Sequence, residues 1–97
     1  MKIHLSDEAL AWFKDEMLVE EGEYVRFYVR YGGSSPLHDS FSLGVSKEEP
    51  IEAVETLEKA DRTFFIEERD LWFFDGHDLF VEFDSKRQEP AYEYKKA

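Results

Sequence analysis

The sequence predicts an α+β fold in which one N-terminal helix packs on short mixed β-strands. Three observations carry this expectation. Unambiguous helical periodicity occurs once, near the start. The rest of the chain is a series of short β-branched and aromatic runs broken by Gly, Pro and Asp. Aromatic residues make up 16% of a chain of only 97 residues. A chain of that length reads as one domain, residues 1–97, with a core that must be densely packed.

Ser6 suits a helix N-cap, and Asp7 and Glu8 follow it where the helix dipole favours anions. Leu10, Phe13, Met17 and Leu18 then fall on one face, and Gly22 suits a C-terminal stop, so the helix is expected over 6–21. Residues 24–31 read as a strand. Val25, Phe27, Val29 and Tyr31 share one face, and Tyr24, Arg26, Tyr28 and Arg30 the other. The run Gly32-Gly33-Ser34-Ser35-Pro36 reads as a loop, and Phe41, Leu43 and Val45 as a second strand ended by Glu48-Glu49-Pro50. Residues 51–60 are ambiguous, because Ile51, Val54 and Leu57 have helix-like spacing. Strands are expected at 63–67 and 78–84, a helical turn at 68–74 ending in Asp75-Gly76, and an edge strand around Tyr92 and Tyr94. Phe13, Val25, Phe27, Val29 and Phe41 are expected in one core.

Charge and composition exclude several classes of function. The formal net charge is −11, both halves of the chain are acidic, and a field of that sign repels phosphate, so no nucleic acid and no membrane surface is expected as a partner. No cysteine is present, which excludes thiolate chemistry and disulfides. The N-terminus has no apolar signal core, and the expected location is cytoplasmic.

The candidate chemistry is sparse. His4, His38 and His77 have no metal-ligand spacing; two of them sit beside Asp39 and Asp78, which reads as surface histidine next to carboxylate. Ser34 with His38 as base invites a nucleophile reading, but Pro36 follows Ser35 where a nucleophile elbow needs glycine. A calcium loop around Gly76 would place Leu71 and Phe73 at ligand positions and is rejected. The carboxylates Glu67, Glu68 and Asp70, and the pair Glu48 and Glu49, read as solvated charge.

The order of parts carries a resemblance. A helix opening Leu5-Ser6-Asp7-Glu8-Ala9, a strand ending Tyr28-Val29-Arg30-Tyr31, then Gly32-Gly33-Ser34-Ser35 and a later Asp75-Gly76 before a strand resemble the HesB-like family of A-type iron–sulfur carriers. The likeness is to its cysteine-free, YneR-type branch and runs from Ile3 to about Tyr94. It implies the HesB-like (iron–sulfur cluster biosynthesis-like) fold. In that family a cysteine follows the loop glycine and a Cys-Gly-Cys pair follows near the C-terminus. Ser34 stands at the first position and nothing maps to the pair, so the resemblance implies the fold without cluster binding. Gly32, Gly33, Ser34, Ser35 and His38 are then a degenerate site loop. The expected function is a non-enzymatic HesB-like accessory protein that works through contact with a protein partner, linked to iron–sulfur metabolism and without a cofactor. The alternative is a weak metal binder using oxygen and nitrogen ligands, His38 or His77 among them. Nothing in the sequence sets an oligomeric state.

Overall fold

The computed structural model describes residues 1–97. The chain opens with a short strand, β1 (Ile3–Leu5), before helix α1 (Asp7–Asp15). Then come β2 (Tyr24–Ser34), β3 (Asp39–Lys47), β4 (Ala53–Lys59) and β5 (Arg62–Glu67). A 3-10 helix at Glu68–Phe74 leads into β6 (His77–Asp84) and β7 (Glu89–Lys96). The strands make two sheets, ordered β1-β6-β7 and β3-β2-β5-β4. β1 runs parallel to β6 and β2 parallel to β5, while the β2–β3, β4–β5 and β6–β7 pairs are antiparallel. The α+β content expected from the sequence is therefore present, with an additional strand ahead of the helix.

One apolar cluster joins both sheets to the helix. Phe13 of α1, Val25 and Phe27 of β2, Phe64 and Ile66 of β5, Phe73 and Phe74 of the 3-10 helix, and Leu79 and Val81 of β6 are all fully buried in it. Val29 and Phe41 pack against its margin. Phe13 meets Phe64 edge-on at 5.2 Å and Phe27 at 6.1 Å, so rings from helix and sheet interlock through their favoured geometry.

α1 is shorter than its periodicity predicts. Its start is as expected, with the Ser6 hydroxyl accepting from the Ala9 amide at 3.1 Å. It ends near Glu16 rather than at Gly22. Leu18 turns into the left-handed region at φ 54°, and the Val19 amide reaches back to the Phe13 carbonyl at 3.1 Å. That reversal buries Val19 and leaves Leu18 exposed. Gly22, also left-handed at φ 86°, serves the entry to β2 instead.

The ambiguous segment is a strand. β4 alternates half-buried and exposed positions in register with β5. The two are joined at Ala60 and Asp61, both left-handed at φ 52° and 62°. Two consecutive positive-φ residues make the kind of two-residue turn whose twist matches antiparallel strands. Val54 is consequently exposed, and the helix-like spacing of Ile51, Val54 and Leu57 is incidental. β2 also runs further than expected, through Gly32 and Gly33 to Ser34, with an irregularity in its pairing to β3 between Tyr31 and Ser34. The glycines sit at φ 131° and 65°, so they form a bulge inside the strand rather than the start of a loop.

Candidate interaction surface

The bulge and the 3-10 helix lie beside each other and expose an aromatic face. Tyr31 and Phe41 are directly opposed across β2 and β3, with ring centroids 5.6 Å apart. Phe41 meets Trp72 of the 3-10 helix edge-on at 5.4 Å, and Trp72 lies 5.2 Å from the His38 ring. Tyr31 is 83% exposed and Trp72 52%, and Leu71 beside it is 40% exposed. Strand alternation puts Tyr31 on the same face as Val25, Phe27 and Val29. In the fold, β5 pairs with β2 only from Tyr24 to Arg26, so the far end of β2 extends past the body of the sheet with β3 as its one strand neighbour, and Tyr31 there is exposed.

Buried polar contacts hold the 3-10 helix against the sheet. Asp70 accepts from Arg26 at 2.7 Å through one oxygen and from the Val29 amide at 3.3 Å through the other. Arg26 reaches Glu48 with its second terminal nitrogen at 3.1 Å, while its Nε is buried without a partner. Glu48 also takes a hydrogen bond from the Ser46 hydroxyl, which with Arg26 holds its carboxyl below the usual range against the opposing effect of burial. Glu67, just before the helix, accepts from the amides of Ile51 and Glu52 at 2.9 and 2.7 Å. The acidic residues read as solvated charge are thus partly structural. Glu67 and Asp70 are buried and satisfied, and Glu48 is a partner of Arg26.

The residues of the proposed degenerate loop have separate roles. Gly32 and Gly33 form the bulge, and the Gly32 carbonyl accepts from the Ser42 hydroxyl at 2.8 Å. Ser34 is exposed and pairs with Asp39 in the ladder. Ser35 closes the turn, its hydroxyl accepting from the His38 amide at 3.1 Å. The His38 ring makes its hydrogen bond to the 3-10 helix. Its Nε2 lies 3.0 Å from the Phe73 carbonyl, which can only accept, so that nitrogen carries the proton. Neither ring nitrogen of His38 is hydrogen-bonded to Ser34, so the two are not assembled as base and nucleophile. His77 is fixed in the same manner, its Nδ1 donating to the carbonyl of Phe74 at 2.9 Å. No three His, Asp or Glu side chains converge in a way that could hold a metal ion, so neither His38 nor His77, the ligands expected for a metal binder, belongs to such a cluster. No helix is long and apolar enough to cross a membrane.

Sequence reasoning missed the exposed aromatic face. Its members come from three segments, and the one legible hint was a glycine pair placed directly after Tyr31.

Comparison with known proteins corrects the family. No family model matches the chain. A Bacillus subtilis protein named pyruvate dehydrogenase inhibitor is 50% identical over 95 residues, which span 98% of this chain and 100% of its own length. An uncharacterized protein of Staphylococcus saprophyticus is 38% identical over 98% of this chain and 100% of its own length. One of Staphylococcus haemolyticus is 39% identical over 95% of this chain and 96% of its own. The assignment to the HesB-like family and fold, and the accessory role in iron–sulfur metabolism drawn from it, are overturned by the first of these relatives. The physical reason for the misreading is that the motifs used describe backbone turns. Gly32-Gly33 makes a bulge and Asp75-Gly76 a left-handed pair at φ 46° and 76°, features that recur wherever strands must be re-aimed. The expectation of a non-enzymatic protein stands with that relative, whose name is that of a regulator. The chain belongs to the family that contains the Bacillus subtilis pyruvate dehydrogenase inhibitor and these staphylococcal proteins.

Proposed function

We propose that this protein inhibits pyruvate dehydrogenase by binding to it, and that the Tyr31–Phe41–Trp72 face is the surface it presents. The observation that carries the reading is the 50% identity, across the whole of both chains, to the relative that bears the inhibitor name. The structure supports the choice of surface. Trp and Tyr dominate the few residues that supply most of the energy of protein interfaces, and here both are exposed on a rigid base of sheet and anchored helix. An inhibitor of this kind needs no reacting group of its own; it needs a shape and a fixed set of anchors.

The test is titration of the purified chain into the pyruvate dehydrogenase complex of Bacillus subtilis while pyruvate-dependent NADH formation is followed. Saturable inhibition is expected. Trp72→Ala should weaken it by about 30-fold or more, the effect of losing one interface anchor. The thermal melt of that variant should stay close to wild type, because the Trp72 ring is half exposed. An excess of the chain that leaves the rate untouched would refute the function. Full inhibition by both Trp72→Ala and Tyr31→Ala would refute the surface and leave the function standing.

A further inference from the structure

A second feature lies away from the aromatic face, where the edges of the two sheets approach each other. β3 is an edge strand of one sheet and β7 of the other. Between them runs an open groove of about 600 Å³. Three aromatic side chains, Trp12, Tyr28 and Tyr92, line it, and Leu43, Val45 and Pro90 add apolar surface. Two cations, Arg30 and Arg87, and one carboxylate, Glu89, line it as well. Arg87 is loosely paired with Glu89 at 3.9 Å. Arg30 is exposed and has no carboxylate or other hydrogen-bond partner, in a chain where acidic residues outnumber basic ones by 23 to 12. The hydroxyls of Tyr28 and Tyr92 also make no hydrogen bond within the protein. Burial, with help from Glu89 and Tyr28, pushes the Tyr92 hydroxyl up to about 12, so at neutral pH it is a proton donor.

The wall of the groove is shaped to keep Tyr28 in place. Gly44 lies opposite Tyr28 on β3, and a Cβ there would come within 2.5 Å of the tyrosine ring. The ring therefore lies directly over the glycine backbone, a position that any larger residue would deny it. The groove thus combines flat aromatic walls with three unpartnered donors, one of them a full positive charge. An acceptor group fits the donors and an apolar body fits the walls.

We propose that this groove binds a small organic monoanion, a carboxylate carried on an aromatic body, with Arg30 receiving the carboxylate and the tyrosine rings receiving the body. Charge complementarity limits the occupant to something small. A long polyanion would meet the net charge of −11 across the rest of the surface, whereas a single carboxylate meets mainly the one guanidinium that lacks a partner. A guanidinium engages a carboxylate through two parallel hydrogen bonds, which also orients whatever the carboxylate carries.

The experiment is an amide-resolved NMR titration of the full chain with 3-phenylpropionate, its neutral amide 3-phenylpropionamide, and inorganic phosphate. Saturable shifts are expected from 3-phenylpropionate at Arg30, Gly44 and Tyr92. The neutral amide, and Arg30→Gln titrated with the acid, should each bind about tenfold more weakly or worse, the loss of one charge-assisted pair. Arg30 is exposed, so the substitution leaves the fold intact and a null result cannot be blamed on unfolding. Shifts that spread over the surface without saturating would overturn the proposal. So would Arg30→Gln binding as wild type, or phosphate binding as well as 3-phenylpropionate, which would show that the aromatic walls contribute nothing. No pyruvate dehydrogenase is present in the tube, so failure here leaves the inhibitor reading untouched, and failure of that reading leaves this site standing.

Discussion

Replacing Asp70 with alanine tests how the aromatic face is held. The Arg26 and Asp70 side chains are only 9% and 8% exposed, and they meet at 2.7 Å. Removing the carboxylate leaves the guanidinium in a dry site with one remaining partner, Glu48, whose side chain is 38% exposed and correspondingly weak as a counter-ion. The Arg26 Nε already lacks an acceptor, so the side chain has no slack to absorb the loss. Breaking a buried pair from one side costs about 3–5 kcal/mol. The Val29 amide loses its acceptor at the same time, which adds to the penalty. A loss of about 4 kcal/mol is expected, a large share of the 5–15 kcal/mol typical of a domain. Guanidinium denaturation with linear extrapolation measures it, with the slope unchanged if the denatured state is unaffected. Asp70→Asn keeps an acceptor for Val29 and should cost less. The paired replacement Arg26→Met with Asp70→Leu should recover most of the loss, because it removes both charges from the dry site together. An Asp70→Ala variant within about 1 kcal/mol of wild type, or a double variant as unstable as that single one, would refute the assignment of this pair as an anchor.

Two other outcomes follow from the backbone and from titration. Gly33→Val should cost about 1–3 kcal/mol, because Gly33 sits at φ 65° and a Cβ there lies 3.3 Å from the Ser42 hydroxyl, whereas Ser34→Ala, exposed and without a side-chain hydrogen bond, should stay within about 0.5 kcal/mol; thermal melts of the two variants make the comparison. Stability should be flat near neutrality and fall as pH rises above the ordinary tyrosine value of 10.0 toward about 12, since burial raises Tyr92, and Tyr94 further still. Below 10.0 both states hold the proton, and above it the unfolded chain releases the proton first, so the native state loses ground. Denaturation midpoints read across that range should drop less in Tyr92→Phe, and a midpoint indifferent to pH up to 12 would sink the argument.

Local signals in the sequence were legible where one residue decides the backbone or where burial follows strand alternation. Ser6 capped its helix as expected, and Val25 and Phe27 alternate into the core. Signals failed where a distant partner overrides local pattern. The hairpin joining β4 to β5 turns on Ala60 and Asp61, neither of them the glycine that usually announces such a turn. Helical spacing over 6–21 was cut short because burying Val19 required Leu18 to reverse the chain. Asp70 looked like one more surface carboxylate because its partner, Arg26, lies 44 residues away. The family resemblance failed for a related reason. A capped helix, a glycine bulge and an Asp-Gly turn record what the backbone must do at three points, and none of the three identifies a ligand or a partner.

The placement of the buried ion pair bears on why this protein keeps it. An apolar pair of similar volume is often as stable or more so, so stability alone is weak grounds for burying Arg26 and Asp70. Geometry is a stronger one. Phe73 and Phe74 anchor the 3-10 helix to the core by area, and area burial is not directional. Asp70 supplies the direction, since one oxygen fixes it to a side chain of β2 and the other to the backbone of the same strand. Trp72 lies two residues further on, so its ring is fixed relative to Phe41 and Tyr31, the two members of the face that stand on β2 and β3. The Arg26→Met, Asp70→Leu double variant separates the two roles of the pair. If the charges serve orientation, and the inhibition proposed above holds, it should fold at near wild-type stability and yet inhibit pyruvate dehydrogenase less tightly than wild type. Full binding by that variant would mean that Phe73 and Phe74 alone hold Trp72 in place.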